Sequence, residues 1–366
     1  MTLKILHTGD LHIGMRYGGY PEHVRTHLAE ARVDVLRRLV AEANNRQCDL
    51  FVIAGDLFTT HKPKNSLIVE VTEIIKQFAG ACTLILPGNH DYTDALSELW
   101  QTFVTHKGEN TILLEDAARF SLDAFGLSVE IWPAPCTSLH SETNNLGWMH
   151  GQQADSERFN IGIAHGSVRG LSPDLDNSYF PMEVAELRAL PPDLWLLGHS
   201  HVRYPDQNQV TGEQIFNAGT PEPDGLDCRH RGHAWIITVD AAGKVSAEST
   251  TCGQYRFMDL SYQLTKDFSV LEQELLTADA DKSIARLTLT GNLPAEVLAE
   301  RQNIYRKLAE TLLHVDIRDS RLGLRLTPTM LDKEFTAGSF PHRLLKKLTA
   351  DGEAMQIAYQ LIKEVK

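Results

Sequence analysis

Five short segments of this 366-residue chain join an apolar run to side chains that bind metals, usually with a glycine at or beside the join. They are ILHTGDLH, with Asp10 and His12; LFVIAGD, with Asp56; LILPGNHD, with Asn89, His90 and Asp91; IGIAHG, with His165; and LWLLGHSH, with His199 and His201. Each apolar run reads as a buried strand, and the glycine lets the backbone turn sharply as it leaves the sheet. In open α/β sheets, sites form beyond the carboxyl ends of the strands, so five such ends can converge on one place. The i, i+2 spacing of Asp10 and His12, and of His199 and His201, puts both members of each pair on one side of an extended segment.

Asp10, His12, Asp56, Asn89, His165, His199 and His201 make seven oxygen or nitrogen donors, with no thiolate among them. One catalytic zinc takes three protein ligands and an open position, so seven are too many for it. They suit two metals about 3.5–4 Å apart that share a carboxylate, a clamp for in-line attack on phosphorus. Asp56, a lone carboxylate at the end of a central strand, is the natural bridge. Hard and borderline donors without thiolates favour manganese, iron or zinc, with availability deciding more than affinity. His90 reads as free of the metals, placed to stabilise or protonate the leaving oxygen, a role worth ~10²–10⁴ in rate. Asp91 reads as the group that orients it, as carboxylates commonly orient functional histidines. Arg16, His61, Lys62, Arg203 and Arg231 stand on loops near these motifs and are the candidates for touching substrate. A single strand-end aspartate or histidine is better read as a cap or a core residue. Five motifs in order reverse that reading.

The elements that must position these residues alternate short apolar runs with helical patterns, which marks an α/β (α+β) layered fold. Strands are expected at Leu3–His7, Leu50–Ala54, Cys82–Leu86, Asn160–Ala164 and Leu194–Leu197, with helices at Glu22–Asn45, Ser66–Phe78 and Leu96–His106. A hairpin is expected around Gly126, and late strands at Ile215–Phe216, Ala234–Val239 and Val245–Thr250. The texture changes near Gly253–Arg256. Beyond it come a strand at Arg256–Tyr262, a helix at Ser269–Thr277, a strand at Ser283–Thr290 and one long helix at Pro294–His314. Strands with a turn over Ile317–Leu326 complete a small α/β unit, and Ser339–Lys366 is helical with a break near Asp351-Gly352. Met355, Ala358, Ile362 and Val365 line one face of that tail. The expected domains are residues 1–255, 256–328 and 329–366.

The chain carries 35 basic and 48 acidic residues, a net charge of −13. From Arg256 onward 16 basic and 16 acidic residues cancel, so the first 255 residues, with 19 and 32, hold the whole imbalance. Such a surface repels DNA phosphates unless it is inverted locally, because phosphate neutralisation dominates nucleic-acid affinity. Bound divalent cations are the natural means of inversion. Five scattered cysteines do not make a disulfide framework. No run approaches the ~18 uncharged apolar residues of a membrane helix, and MTLKILHTGD leads straight into a strand rather than a signal peptide. A cytoplasmic, reduced protein without a membrane partner is expected. The five tryptophans lack the interleaved basic residues of a single-strand platform and read as packing.

D-x-H, G-D, G-N-H-D, a strand-end histidine and G-H-x-H, in this order, resemble the calcineurin-like metallophosphoesterases. Within them, HTGDLHIG and GDLF followed by Lys62-Pro63 are similar to the SbcD-type DNA repair nucleases, including the shorter YhaO-like branch. The resemblance implies a β-sandwich flanked by helices over residues 1–255, a small α/β capping domain and a C-terminal helical segment that docks on an SMC-like (SbcC-like) ATPase. It also implies two Mn²⁺ ions on the seven positions above, His90 as catalytic histidine, and DNA as substrate; a homodimer is compatible with it. Some nucleases of the family place a histidine directly after G-D-L-F, whereas Thr59 stands there in this chain and His61 lies two residues on. The middle of the loop Asn217–Gly232 also departs from the pattern. A phosphoesterase for small phosphate esters or nucleotides, which the acidic charge favours, is the second reading. A scaffold that has lost catalysis would need a missing donor, and none of the seven is missing.

Overall fold

The computed structural model describes residues 2–94, 98–172 and 177–365. The chain divides into two compact units, one running to Arg256 and the other beginning at Phe257.

In the first unit the strands are β1 (Leu3–Thr8), β2 (Leu50–Ala54), β3 (Cys82–Leu86), β4 (Thr111–Leu113), β5 (Phe120–Ser121), β6 (Val129–Ala134), β7 (Phe159–His165), β8 (Leu194–Gly198), β9 (Gln209–Thr211), β10 (Ile215–Asn217), β11 (His233–Val239) and β12 (Val245–Thr251). The helices are α1 (Glu22–Asn45), α2 (Asn65–Ile75), α3 (Glu98–His106) and α4 (Val184–Ala189). Among the described residues the strands form a seven-stranded sheet, ordered β4-β3-β2-β1-β11-β12-β9, and a five-stranded sheet, ordered β10-β8-β7-β6-β5. β1 to β4 run parallel, as do β6, β7, β8 and β10.

The reason the two sheets stack is legible in the period-2 alternation of their strands. Leu50, Val52 and Ala54 of β2 join Ile161 and Ile163 of β7 and Leu194 and Leu196 of β8 in one core between the sheets. The alternate residues Phe51 and Ile53 face a second core with Val35, Leu36 and Leu39 of α1, Ile68 and Val71 of α2, and Phe103 of α3. On the far side of the smaller sheet, Trp132, Trp195 and Leu197 pack with Leu187 of α4. Strands buried on both faces need unbroken apolar runs, and LFVIA and LWLLG are such runs. The layered α/β sandwich expected from the sequence is therefore the fold.

Boundaries differ where turn chemistry intervenes. Phe120–Ser121 pairs antiparallel with β6, but a 3₁₀ turn over Asp123–Phe125, closed by Gly126 at φ 74°, replaces most of the expected hairpin strand. The short strands β4 and β9 are additions, since neither carries an apolar run long enough to announce it. The helix expected from Leu96 begins, within the described residues, at Glu98; Leu96 lies outside them. All five cysteines are free. Among the described residues no helix is long and apolar enough to cross a membrane.

The second unit has a three-stranded sheet of β13 (Arg256–Leu264), β14 (Ser283–Leu293) and β15 (His314–Leu324), with β14 central and parallel to β15. Its helices are α5 (Ser269–Leu275), α6 (Ala295–Ala299), α7 (Arg301–Thr311), α8 (Pro328–Glu334), α9 (Phe340–Lys347) and α10 (Gly352–Val365). The single helix expected over Pro294–His314 is thus two, broken at Glu300, and it ends before His314 because a parallel neighbour strand must start there. Residues 317–326, expected as strands with a turn, belong mainly to one continuous strand. Leu271, Leu287, Leu289, Leu308 and Leu312 form the core of this sheet. Leu326, Leu331, Phe335, Leu345 and Met355 form a separate cluster, against which Ala358 and Ile362 pack. Three residues of the expected tail stripe therefore face inward, within their own unit; the side chain of Val365 lies outside the described part.

Candidate metal centre

The carboxyl ends of β1, β2, β3, β7 and β8 meet, and the glycines explain how. A Cβ on Gly198 would lie 1.9 Å from the Ala54 carbonyl oxygen, and one on Gly88 would lie 2.2 Å from Asp56 Oδ1. One approach is between the two sheets and the other follows neighbouring strands of the larger sheet, and only glycine permits either. Directly after these contacts the chain adopts left-handed backbone at Asp10 (φ 52°), His12 (φ 47°), Asp56 (φ 52°) and His199 (φ 93°). Non-glycine residues in this region store strain that the surrounding structure must hold, and such residues cluster at functional sites.

Asp10, Asp56, Asn89 and His165 are almost wholly buried, as is His12, while His90, His199 and His201 are half-buried. His12 Nε2 lies 3.1 Å from His201 Nε2 and 3.5 Å from Asp56 Oδ2. On the other side, His165 Nε2 lies 3.0 Å from Asn89 Oδ1 and 3.4 Å from Asp56 Oδ2, and His199 Nδ1 lies 3.3 Å from Asn89 Oδ1. The structure thus brings all seven expected donors together, in two sets that meet at Asp56. Ligand atoms of Asp10, His12 and His201 lie within 4.8 Å of one another, as do those of Asp10, Asp56 and His165, and those of His12, Asp56 and His90.

The donor set fits divalent cations. Two imidazole nitrogens that point at each other across 3.1 Å place lone pairs on one spot, an arrangement that a shared cation or proton must relieve. His12 Nδ1 is buried without a hydrogen-bond partner. Charges respond accordingly. Burial alone would push His165 down, but the Asp56 carboxylate outweighs it and holds the imidazole up at about 9. Asp56 is itself held well below the usual carboxylate range: burial works against this, and the His165 charge and hydrogen bond overcome it. Burial raises Asp10 to about 6 and depresses His12. The carboxylates thus favour positive charge at this spot, and a metal cation that displaces ligand protons would supply it.

Second contacts hold these side chains in place. His165 Nδ1 bonds the Ala54 carbonyl at 2.9 Å, and both oxygens of Asp10 accept the His199 N–H at 3.0 Å. His90 donates its backbone N–H to Asp56 Oδ1 at 2.9 Å, and Asn89 Nδ2 donates to the Leu139 carbonyl at 3.1 Å. Tyr179 lies against His199, ring centroids 5.0 Å apart. Because a Cβ on Gly55 (φ 89°) would fall 1.9 Å from His165 Nδ1, Gly55→Ala displaces that ring. Strain of about 1–3 kcal/mol is expected, read as a Tm several degrees lower together with lost metal. A melt and metal content equal to wild type would contradict the packing.

One expected role is corrected. Asp91 does not orient the His90 ring: its Oδ1 accepts the Gly88 N–H at 2.7 Å and its Oδ2 the Phe58 N–H at 2.9 Å, and it is fully buried. It pins the Gly88–Asp91 loop to the exit of β2. Arg203 is engaged within the fold: its guanidinium bonds Asn208, Ser249 and the Asp206 carbonyl and lies over the Trp235 ring at 5.3 Å. His61 packs its ring on Tyr92, centroids 5.3 Å apart, two residues beyond His90. Arg16, Lys62 and Arg231 are exposed.

Arg32 and Asp224 belong to no motif, and only the structure reveals them. Arg32 is a fully buried cation on α1, with Nε donating to the Tyr17 hydroxyl at 2.8 Å and Nη1 to the Leu11 carbonyl at 3.0 Å. Asp224 Oδ2 lies 2.8 Å from His201 Nδ1. Asp224 comes from the very loop whose middle departs from the family pattern.

Residues 3–203 match the family described as calcineurin-like phosphoesterase, more than half of the chain. The chain belongs to that family. Among its curated relatives, the DNA double-strand break repair protein Mre11 of Haloferax volcanii is 30% identical over 297 residues, 79% of this chain and 61% of that protein. Mre11 of Halobacterium salinarum is 23% identical over 314 residues, 80% of this chain and 73% of that protein. The D subunit of the SbcCD nuclease of Bacillus subtilis is 34% identical over 98 residues, 26% of this chain and 24% of that protein. The chain spans less than two thirds of the Haloferax and Bacillus proteins. Calcineurin-like phosphoesterases bind divalent metal, and the seven donors supply a fitting site for it.

Proposed function

We propose that the protein is a metal-dependent DNA nuclease that hydrolyses phosphodiesters with two divalent ions, Mn²⁺ foremost, and acts in DNA repair. The observation that carries this reading is the pair of donor sets joined at Asp56. Asp10, His12, Asp56 and His201 would hold one ion, and Asp56, Asn89, His165 and His199 the other. When bound, the ions supply Lewis acidity, an activated water and the positive charge that this acidic unit lacks. The chain's own residues do the rest. His90, half-buried beside His12 and Asp56 and with its N–H fixed to Asp56 Oδ1, donates a proton to the oxygen that leaves phosphorus. Asp91 keeps the loop under His90 rigid through its two backbone bonds. Asn89, held by the Leu139 carbonyl, keeps its amide oxygen on the site. His61 and Lys62, on the loop after GDLF, are the proposed contacts to the phosphate backbone, with Arg16 and Arg231 on neighbouring loops.

The relatives named Mre11 and SbcCD nuclease favour DNA as substrate, while the −13 charge of the first 255 residues favours small phosphate esters. Turnover of bis- and mono-nitrophenyl phosphate with Mn²⁺ separates diesterase from monoesterase action. Preference for the diester is expected; hydrolysis of the monoester alone would contradict the nuclease reading.

The name of the Bacillus relative makes it one subunit of a larger nuclease, and we assign an SMC-like ATPase as the partner of the C-terminal segment. Met355, Ala358 and Ile362 of α10 face inward, yet Ile357 and Leu361, four residues apart on another face, are 52% and 57% exposed, and Phe340 of α9 is 70% exposed. A helix that is apolar on two faces has one to cover. Ile357→Glu with Leu361→Glu is expected to abolish binding of the purified ATPase and leave ester turnover and Tm unchanged. Undiminished binding would exclude this face.

A further inference from the structure

His165 and His201 are oriented by different chemistry. The ring of His165 bonds a neutral backbone carbonyl, whereas His201 Nδ1 faces the Asp224 carboxylate at 2.8 Å. Asp224 is not a loose surface acid. Its side chain is 13% exposed, and its Oδ2 lies 3.6 Å from Arg32 Nη2, which is itself fully buried. Arg32 is fixed in turn. Besides Tyr17 and Leu11, its Nη1 lies 3.1 Å from Thr220 Oγ1 and 3.4 Å from the Asp10 carbonyl. Thr220 Oγ1 is also 2.9 Å from the Asp10 carbonyl. One buried guanidinium therefore ties together the backbone of the Asp10–His12 loop, the loop that carries Thr220 and Asp224, and, through Asp224, the side chain of His201. A lone arginine in a core is costly unless compensated, and this one sits where two ligand-bearing loops must keep register.

We propose that Asp224 is the positioning residue of His201, and that Arg32 and Asp224 together set the metal affinity of the His12–His201 position without touching the metal. The inference rests on the metallophosphoesterase reading and deepens it. An imidazole that donates Nδ1–H to a carboxylate has its tautomer fixed, so Nε2 presents its lone pair toward the site. Such outer partners are worth 10–100-fold in metal affinity. The effect is local. The position formed by Asn89, His165 and His199 has its own supports, the Ala54 and Leu139 carbonyls, and neither involves Asp224.

The test is calorimetric and spectroscopic titration of the metal-stripped, full-length chain with Mn²⁺, for wild type, Asp224→Asn and Asp224→Glu, with the melt of each metal-free protein as a folding control. Wild type is expected to take two ions. Asp224→Asn, which keeps the shape and removes the charge, is expected to keep one ion at unchanged affinity and bind the other about 10–100-fold more weakly. Asp224→Glu is expected to recover part of that loss, which a merely structural residue would not. Two ions bound by Asp224→Asn at wild-type affinity would overturn this proposal alone, as would equal weakening at both positions with no recovery by glutamate. A wild type that binds no Mn²⁺ would overturn the metallophosphoesterase reading and this assignment with it.

Discussion

Asp56→Ala is expected to remove metal binding and hydrolysis together. The carboxylate is 1% exposed, and its two oxygens do different work: Oδ1 accepts the His90 N–H, while Oδ2 stands 3.5 Å from His12 Nε2 and 3.4 Å from His165 Nε2. No substitution elsewhere would strip both donor sets of a shared member and free the His90 backbone at once. Metal content by mass spectrometry and turnover of a diester are the readouts, with Asp56→Asn as the shape-preserving control. Metal content below one ion per chain and turnover at background are expected. Full activity in either variant would exclude Asp56 as the shared ligand.

His90→Ala is expected to behave oppositely, keeping both ions and losing turnover by about 10²–10⁴, or about 2.7–5.4 kcal/mol of barrier at 1.36 kcal/mol per tenfold. The geometry makes this a demanding test. A ring nitrogen of His90 lies within 4.8 Å of ligand atoms of His12 and Asp56, and the His90 and His12 rings meet edge to face with centroids 5.0 Å apart. Proximity alone would allow His90 to be a ligand. Loss of an ion in the variant would make His90 a ligand; intact metal with lost turnover fits a proton donor.

What is legible in the sequence follows from what local patterns can encode. LFVIA, CTLIL and LWLLG could hardly be anything but strands buried on both faces, and β2, β3 and the 24-residue α1 begin and end at the expected residues. The donors at the ends of those strands are readable because residue type, glycine and order coincide. Contacts made across the fold leave no such trace. Asp91 follows His90 in sequence, yet its side chain turns inward to Gly88 and Phe58. Arg203 follows the G-H-x-H motif, yet Trp235 and Ser249, from β11 and β12, capture it. Arg32 sits on a helix face otherwise made of Val24, Leu28, Val35 and Leu39, and nothing at helical spacing distinguishes a buried tether from a surface charge. In the second unit, helix propensity runs through Glu300 without a stop signal, so the division into α6 and α7 is invisible. The tail shows an apolar stripe but not which partner it meets; Leu326, Leu331 and Phe335 of the same unit cover it.

Whether this acidic chain cuts DNA with metals held at the joined donor sets is the decisive question. The direct measurement is cleavage of end-labelled double- and single-stranded DNA by the 366-residue chain with Mn²⁺, with and without the proposed SMC-like ATPase partner, with EDTA and His90→Ala as controls. The expected result is Mn²⁺-dependent cleavage that EDTA abolishes and His90→Ala reduces by at least ~10²-fold. DNA left intact in the presence of both Mn²⁺ and the partner, while nitrophenyl phosphate is hydrolysed, would contradict the nuclease reading and make the protein a small-ester phosphatase.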